Sequence, residues 1–246
     1  SHELRTPLTV ISGFAATLRG DPEPDPAMRD RALAAIERRT VELTKIIDRL
    51  LLSSRIEAGR VELKLRPTEV GPLLSERAEA LAAATGRTVA VKADGGIPAV
   101  QAEPQAFVTV IDHLLDNAIK YSPGGEPVEV EVEVTEMDVR VRVTDAGIGM
   151  DPEQAARCFE KFWQAESTDV RRFGGTGIGL YIVHSLVEAM QGDIEVSSEL
   201  GAGTAFTVTL RRAGAEVPDE EQAPAKEPSV IREFMRQIGV PMRLEA

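Results

Sequence analysis

Apolar residues change their spacing once along this chain, and that change divides what it can fold into. From Leu4 they fall at Leu8, Ile11, Ala15 and Leu18 in alternating steps of four and three, the seam of a coiled-coil-type helix. Gly20 ends the run, and the acids and prolines of 20–26 cannot continue a helix. Asp25 then offers an N-cap ahead of Pro26 at the first helical position. A second seam runs through Leu33, Ile36, Thr40, Leu43, Ile47, Leu50 and Ser54, with Ile46 and Leu51 widening the stripe. Two antiparallel helices cannot enclose a core by themselves. The spacing therefore predicts a homodimer in which two such hairpins build a four-helix bundle.

Near Gly59 the period drops to two, with Val61, Leu63 and Leu65 alternating with polar residues, so a second domain is expected to begin there. It reads as a helix over 70–85, strands over 88–92 and 99–102, and a helix over 104–121. Val128, Val130, Val132 and Val134 then alternate with glutamates, and Val139, Val141 and Val143 with arginines, as a hairpin with complementary outer charges would. A helix over 177–191 and strands over 194–197 and 205–210 complete a sheet with helices on one face. The expected fold class is α+β: an antiparallel helical hairpin at 1–58, a four-helix bundle as a dimer, followed by an α/β two-layer sandwich at 59–212. The stretch 213–246 is rich in Pro, Glu and Ala and reads as a flexible tail, with a short amphipathic helix fitting 229–238.

With 246 residues, 43% of them hydrophobic, the chain can bury a substantial core. Its single cysteine, Cys158, excludes an internal disulfide and a thiolate zinc cluster, and a reducing compartment, the cytoplasm, suits it. A net charge of −12 with no basic patch disfavours nucleic acid as a partner. No apolar run reaches the roughly 20 residues of a membrane-spanning helix. Because the first residue is Ser1 and a motif follows at once, the chain reads as a piece of something longer, with room upstream for a sensor or a membrane anchor.

Five short motifs carry candidate chemistry. The first is HELRTP, 2–7, where His2, Thr6 and Thr9 fall on the stripe opposite the seam and Pro7 bends the helix beside them. A neutral imidazole is a fair nucleophile, and Glu3 can hold one ring nitrogen so that the other reacts. Taken alone, His2 is also an ordinary surface histidine. The second is HLLDNAIKYSP, 113–123, which sets His113, Asp116, Asn117 and Lys120 along one polar side of a helix. Asn117 can complete a Mg²⁺ shell otherwise made of phosphate oxygens and water, and Lys120 can offset phosphate charge; a solvated helix face reads the same way.

The third motif, DAGIGM at 145–150, ends a strand, and the Asp145 carboxylate can accept from an exocyclic amine such as that of adenine. A simple hairpin turn is the ordinary reading. The fourth, CFEKFWQ at 158–164, is equally compatible with a clasp for a mobile lid over 165–173 and with satellite packing. The fifth, GGTGIGL at 174–180, opens a helix whose free N–H groups suit a triphosphate, and it matches neither a P-loop nor a dinucleotide fingerprint.

Together and in this order these motifs resemble the H, N, G1, F and G2 boxes of the sensor histidine kinases of two-component systems, over residues 1–211. The resemblance implies a dimerisation and phosphotransfer hairpin followed by an ATP-binding domain, with ATP and Mg²⁺ as ligands. It implies autophosphorylation of His2 through Nε2 with Glu3 on Nδ1, transfer to an aspartate of a response regulator receiver domain, and a reverse phosphatase activity in which Thr6 positions water. It further implies Asn117 on the metal, Lys120 and Tyr121 near phosphate and sugar, and Asp145 on adenine. Gly147 and Gly149 would shape the adenine pocket, and Gly175, Gly177, Gly179 and Leu180 would lie over the phosphates. Arg172 would reach in from the lid, and Thr204 would join the pocket. His113 stands where the family often has a second Asn, and no role is assigned to it. Two competing expectations are a degenerate kinase that only senses ATP and an ATPase of the gyrase or chaperone type.

Overall fold

The computed structural model describes residues 2–20, 25–93, 95–165 and 175–215, with side chains from Leu4 onward. The expectations for Arg172, for the lid at 166–173, for the tail helix at 229–238 and for the side chains of His2 and Glu3 lie outside the described residues. Helix α1 (His2–Gly20) contains Pro7, and α2 (Pro26–Glu57) begins as the sequence predicts. The Asp25 carboxylate accepts from the Met28 N–H at 3.3 Å, which satisfies a donor that the first turn would otherwise leave unpaired.

The two helices pack together through part of the expected seam, with small residues at the closest approach. Pro7, Ala32 and Ala35 are buried and Leu4, Ile11, Phe14, Leu18, Ile36, Leu43 and Ile46 half-buried, whereas Leu8, Ala15 and Thr40 are exposed. Leu33, Ile47 and Leu51, all expected on the apolar stripe, are likewise exposed. The physical reason lies in side-chain size. The alanines and the proline let the two backbones approach, and the larger aliphatic residues are left on an open flank.

From Val61 to Leu65 there is no strand, although Val61, Leu63 and Leu65 do pack against the core. The first strand, β1 (Arg66–Thr68), pairs antiparallel with β3 (Val100–Ala102). Helix α3 (Val70–Thr85) leads to β2 (Val89–Ala93), and α4 (Pro104–Tyr121) to the hairpin β4 (Val128–Val134) and β5 (Asp138–Asp145). A short helix α5 (Pro152–Arg157) was not anticipated, although its Asp151 and Gln154 form a capping box. Helix α6 (Gly179–Ala189), β6 (Asp193–Glu199) and β7 (Gly203–Arg211) follow. The main sheet has five strands in the order β2-β4-β5-β7-β6, parallel only at β2-β4.

Valine alternation sets this register. Val130 faces Val143 and Val132 faces Val141 on the buried side, while Glu131 faces Arg142 and Glu133 faces Arg140 outside, with 3.5 Å between the Arg140 and Glu133 charged groups. Phe107, Val110, Ile111 and Leu114 of α4 and Ile182 and Val183 of α6 are fully buried in the core. Truncating Leu114 to Ala is expected to cost about 2–5 kcal/mol, read as a lowered urea midpoint at unchanged slope. A loss below about 1 kcal/mol would mean that the core closes over the gap. The compact unit that these elements build runs from Ser1 to Ala213.

Candidate functional site

Helix α4 is amphipathic, and its polar side forms one wall of a cavity. Pro104 opens it and the Glu103 carboxylate accepts from the Ala106 N–H at 2.6 Å, which fixes where the helix starts and so the rotation of every residue after it. Asn117, Lys120 and Tyr121 line the cavity from its last turns. The far end of α4 is tied down by Arg87, whose guanidinium donates to the carbonyls of Ile119 (3.1 Å), Ser122 (2.6 Å) and Glu126. The first two are carbonyls that a helix C-terminus leaves without internal partners, and the third belongs to the loop that follows.

The same helix end organises the strand-end motif. The Ile148 N–H donates to the Tyr121 carbonyl at 3.0 Å, so the backbone after β5 lies directly against α4. Gly147 makes this approach possible: a Cβ there would stand 2.1 Å from the Tyr121 carbonyl oxygen. Asp145 is buried, and its Oδ1 accepts from the Gly147 N–H at 2.8 Å. Burial raises its pKa, against the lowering effect of backbone hydrogen bonds from Gly147 and Thr204 and of the Arg87 charge. Thr204 sits opposite Asp145 in the β5-β7 register, with its hydroxyl 2.8 Å from that of Ser198, which in turn accepts from the Met150 N–H.

The opposite wall is the N-terminus of α6. Ile178 precedes it without a side-chain cap, and Gly175, Gly177, Gly179 and Leu180 border the cavity. The first turn of this helix, which no side chain caps, and its positive end thus border the same space as Asn117 and Lys120. Gly177 adopts φ 65°, and its carbonyl accepts from the Phe162 N–H at 2.9 Å; a Cβ would meet the Phe162 carbonyl carbon at 2.6 Å. The loop that carries the fourth motif is therefore locked to the loop that carries the fifth.

Of the sequence-derived candidates, the structure brings Asn117, Lys120, Tyr121, Asp145, Gly149, Gly175, Gly177, Gly179, Leu180 and Thr204 around one cavity, with Gly147 behind its wall. Thr6 is exposed on α1 and does not border it. Sequence reasoning missed Arg49, Met150, Gln154 and Phe206, which also line it, and left Trp163, another lining residue, between a lid clasp and satellite packing. A capping box flagged Gln154, but nothing local to residue 49 links α2 to this place.

His113 belongs to the cavity wall and not, as its polar-face position suggested, to solvent: it is 8% exposed. Burial, followed by the charges of Arg49 and Lys45, lowers its pKa to about 3. The folded-state value lies below the unfolded one. Between the ordinary pH of about 6.5 and that lowered value, the unfolded chain binds a proton that the folded chain refuses, so stability falls as the pH falls through this window. His113→Asn is expected to flatten that acid loss. Urea midpoints at neutral and mildly acidic pH check it, and an identical pH dependence in both proteins would refute the assignment.

Known proteins share both halves of this arrangement. A sequence profile of the "His Kinase A (phospho-acceptor) domain" matches residues 1–59, and one of the "Histidine kinase-, DNA gyrase B-, and HSP90-like ATPase" matches 102–214. The chain belongs to the sensor histidine kinases. Among relatives of this family, the phosphate regulon sensor protein PhoR of Pseudomonas aeruginosa is 33% identical over 229 residues, 92% of this chain and 51% of PhoR. The autoinducer 2 sensor kinase/phosphatase LuxQ of Vibrio cholerae is 34% identical over 241 residues, 94% of this chain and 28% of LuxQ. The chain thus spans about half or less of the length of these curated relatives. Among solved histidine kinases, full-length ShkA in complex with AMPPNP superposes with a TM-score of 0.66 at 30% identity, covering 87% of this chain and 45% of ShkA.

Proposed function

We propose that this histidine kinase chain transfers the γ-phosphate of ATP to its own His2 and from there to an aspartate on the receiver domain of a response regulator. The observation that carries the reading is the cavity in which a buried strand-end carboxylate, the polar face of α4 and an uncapped helix N-terminus converge. Each wall suits a different part of one ligand. Asp145 accepts from the adenine amine, Gly147 and Gly149 give the base a flat slot, and Tyr121 and Thr204 flank base and sugar. Lys120 and the N–H groups at Gly175, Gly177, Gly179 and Leu180 take the phosphates, joined by Arg172. The AMPPNP held by ShkA supports this assignment.

Among the described residues no group of three or more His, Cys, Asp and Glu converges as a metal cage. A single amide at Asn117 suits Mg²⁺ that arrives on its nucleotide and keeps phosphate and water as most of its ligands. When bound, the ion neutralises charge on the β- and γ-phosphates. In the transfer step, the Nε2 lone pair of His2 forms an N–P bond as the bond from the γ-phosphorus to the β–γ bridging oxygen breaks. ADP leaves with that electron pair, and Glu3 holds the proton on Nδ1. The phosphoimidazole then passes its phosphoryl group to a carboxylate oxygen of the receiver. Thr6, exposed one turn from His2, suits a water-positioning role in a phosphatase reaction, and LuxQ is named as both kinase and phosphatase.

In this reading residues 1–58 are the dimerising, phosphoaccepting hairpin, 59–212 the catalytic domain and 213–246 a linker. The open flank of Leu8, Leu33, Ile47 and Leu51 supports homodimerisation, since it leaves large aliphatic side chains for a second hairpin to cover. Among the described residues no helix is long and apolar enough to cross a membrane, and we assign this portion of the protein to the cytoplasm because its proposed chemistry consumes ATP. The test is label from γ-labelled ATP that is stable to base, labile to acid and lost with His2. Steady phosphate release without a phosphoprotein would instead favour an ATPase of the gyrase or chaperone type.

A further inference from the structure

Helix α2 belongs to the hairpin, yet one of its side chains reaches the nucleotide cavity. Arg49 lines it beside Asn117, and its Nη2 donates to Asp116 Oδ2 at 3.3 Å, across to the residue that precedes Asn117 on α4. Eight residues along α2, Glu57 accepts from Lys161 Nζ at 2.7 Å, in the loop locked to Gly177. Between the two ion pairs, Ser53 is buried and Leu50, Leu52 and Ile56 pack against the core. Residues 49, 53, 56 and 57 share one helix face, so α2 docks here as a firm strip that delivers a guanidinium to one end of the cavity.

That end is the phosphate end. The backbone after Asp145 meets α4 at Tyr121, so the adenine side of the cavity lies by the last turn of that helix. Moving back along α4 leads from Tyr121 to Asn117 and then to His113, beside whose Nδ1 lies Gly179 of the helix start that the ATP reading gives to the phosphates. Arg49 stands at this level, and its charge is felt at His113. Its present partner is a poor anchor. The Arg49 and Asp116 side chains are 31% and 46% exposed, and an ion pair so open to water holds only weakly. A carboxylate and a terminal phosphate offer a guanidinium the same forked acceptor geometry, but the phosphate carries more charge.

We propose that Arg49 is a phosphate-contacting residue supplied by the hairpin, which exchanges Asp116 for the terminal phosphate when ATP fills the cavity. This rests on the ATP reading above and adds to it a means by which the hairpin distinguishes ATP from ADP. By reciprocity, ATP holds α2 against the catalytic domain more firmly than ADP does. Phosphoryl transfer removes the group that Arg49 grips, and Asp116 recovers its partner.

The test measures binding of AMPPNP and of ADP, each with Mg²⁺, to the whole chain and to Arg49→Gln, Arg49→Lys and Asp116→Asn. Losing one charge-assisted contact weakens AMPPNP about tenfold in Arg49→Gln, with ADP unchanged within about twofold. Arg49→Lys recovers part of the loss. Asp116→Asn frees the guanidinium and tightens AMPPNP by roughly threefold, on the scale of an exposed ion pair. Arg49→Gln shifting both nucleotides equally, or neither, overturns the proposal. ADP binding by the parent keeps that outcome separate from failure of the nucleotide reading, which would show as no binding of either nucleotide to any form.

Discussion

Replacing His2 with Ala is expected to reduce acid-labile phosphate incorporation from Mg-ATP by at least about a thousandfold, because positioning and charge stabilisation cannot substitute for an absent nucleophile. ADP affinity should stay within about twofold of the parent, since the cavity is lined from α2, α4, β5, α6 and β7 and, among the described residues, by none of α1. The two measurements together separate a lost acceptor from a lost site. Labelling of His2→Ala at the parent's level would move the acceptor elsewhere. Parent protein that binds nucleotide but takes up no label under any partner condition would mark the chain as a nucleotide sensor.

The second large effect is expected at Asp145. The carboxylate accepts from the Gly147 N–H through Oδ1 and takes a further backbone hydrogen bond from Thr204, and its two oxygens keep lone pairs for the adenine amine. In Asp145→Asn one of those two acceptors becomes an NH₂, so a donor faces a donor at the backbone or at the base. A hydrogen bond to a charged group is worth about 1.5–3 kcal/mol, so ATP affinity should fall roughly 10- to 100-fold. GTP, whose O6 accepts, should lose less, and the preference between the two nucleotides should narrow. The unliganded protein should be no less stable, because burial already disfavours the Asp145 charge. Competition titrations with both nucleotides check this, and unchanged ATP affinity would remove Asp145 from the adenine contact.

How much of this was legible in the sequence depended on how local the signal was. The valines of β4 and β5 disclosed the hairpin and the face it buries, because a period of two leaves one face to bury and a one-residue slip would expose it. Pro104 and the Ser122-Pro123 stop bracketed α4 to the residue. The hairpin seam was harder. An apolar stripe that serves two neighbours does not say which flank meets which, and Ala32 and Ala35, weak as hydrophobic signals, were the ones inside. Within the site, Asp145, Asn117 and the glycines announced themselves through motif chemistry. Arg49 did not, because the contact to Asp116 spans 67 residues between separate segments and leaves no trace in local spacing. His113 was visible but was placed on the wrong side of its helix, since a polar residue amid polar neighbours looks solvated whether or not another helix covers it.

The strand order also bears on how the protein is made. β7 (Gly203–Arg211) leaves the ribosome last of the described strands, yet it inserts between β5 and β6 and supplies Thr204 and Phe206 to the cavity. Until it emerges, β5 and β6 are each without a neighbour on that side, and no nascent chain can hold a finished nucleotide site. The hairpin is complete long before then. A growing polypeptide therefore displays its hairpin, able to meet another hairpin, well ahead of the domain that the proposed function has phosphorylate it, and the unpaired edges in the interval are where aggregation of a stalled or truncated product would begin.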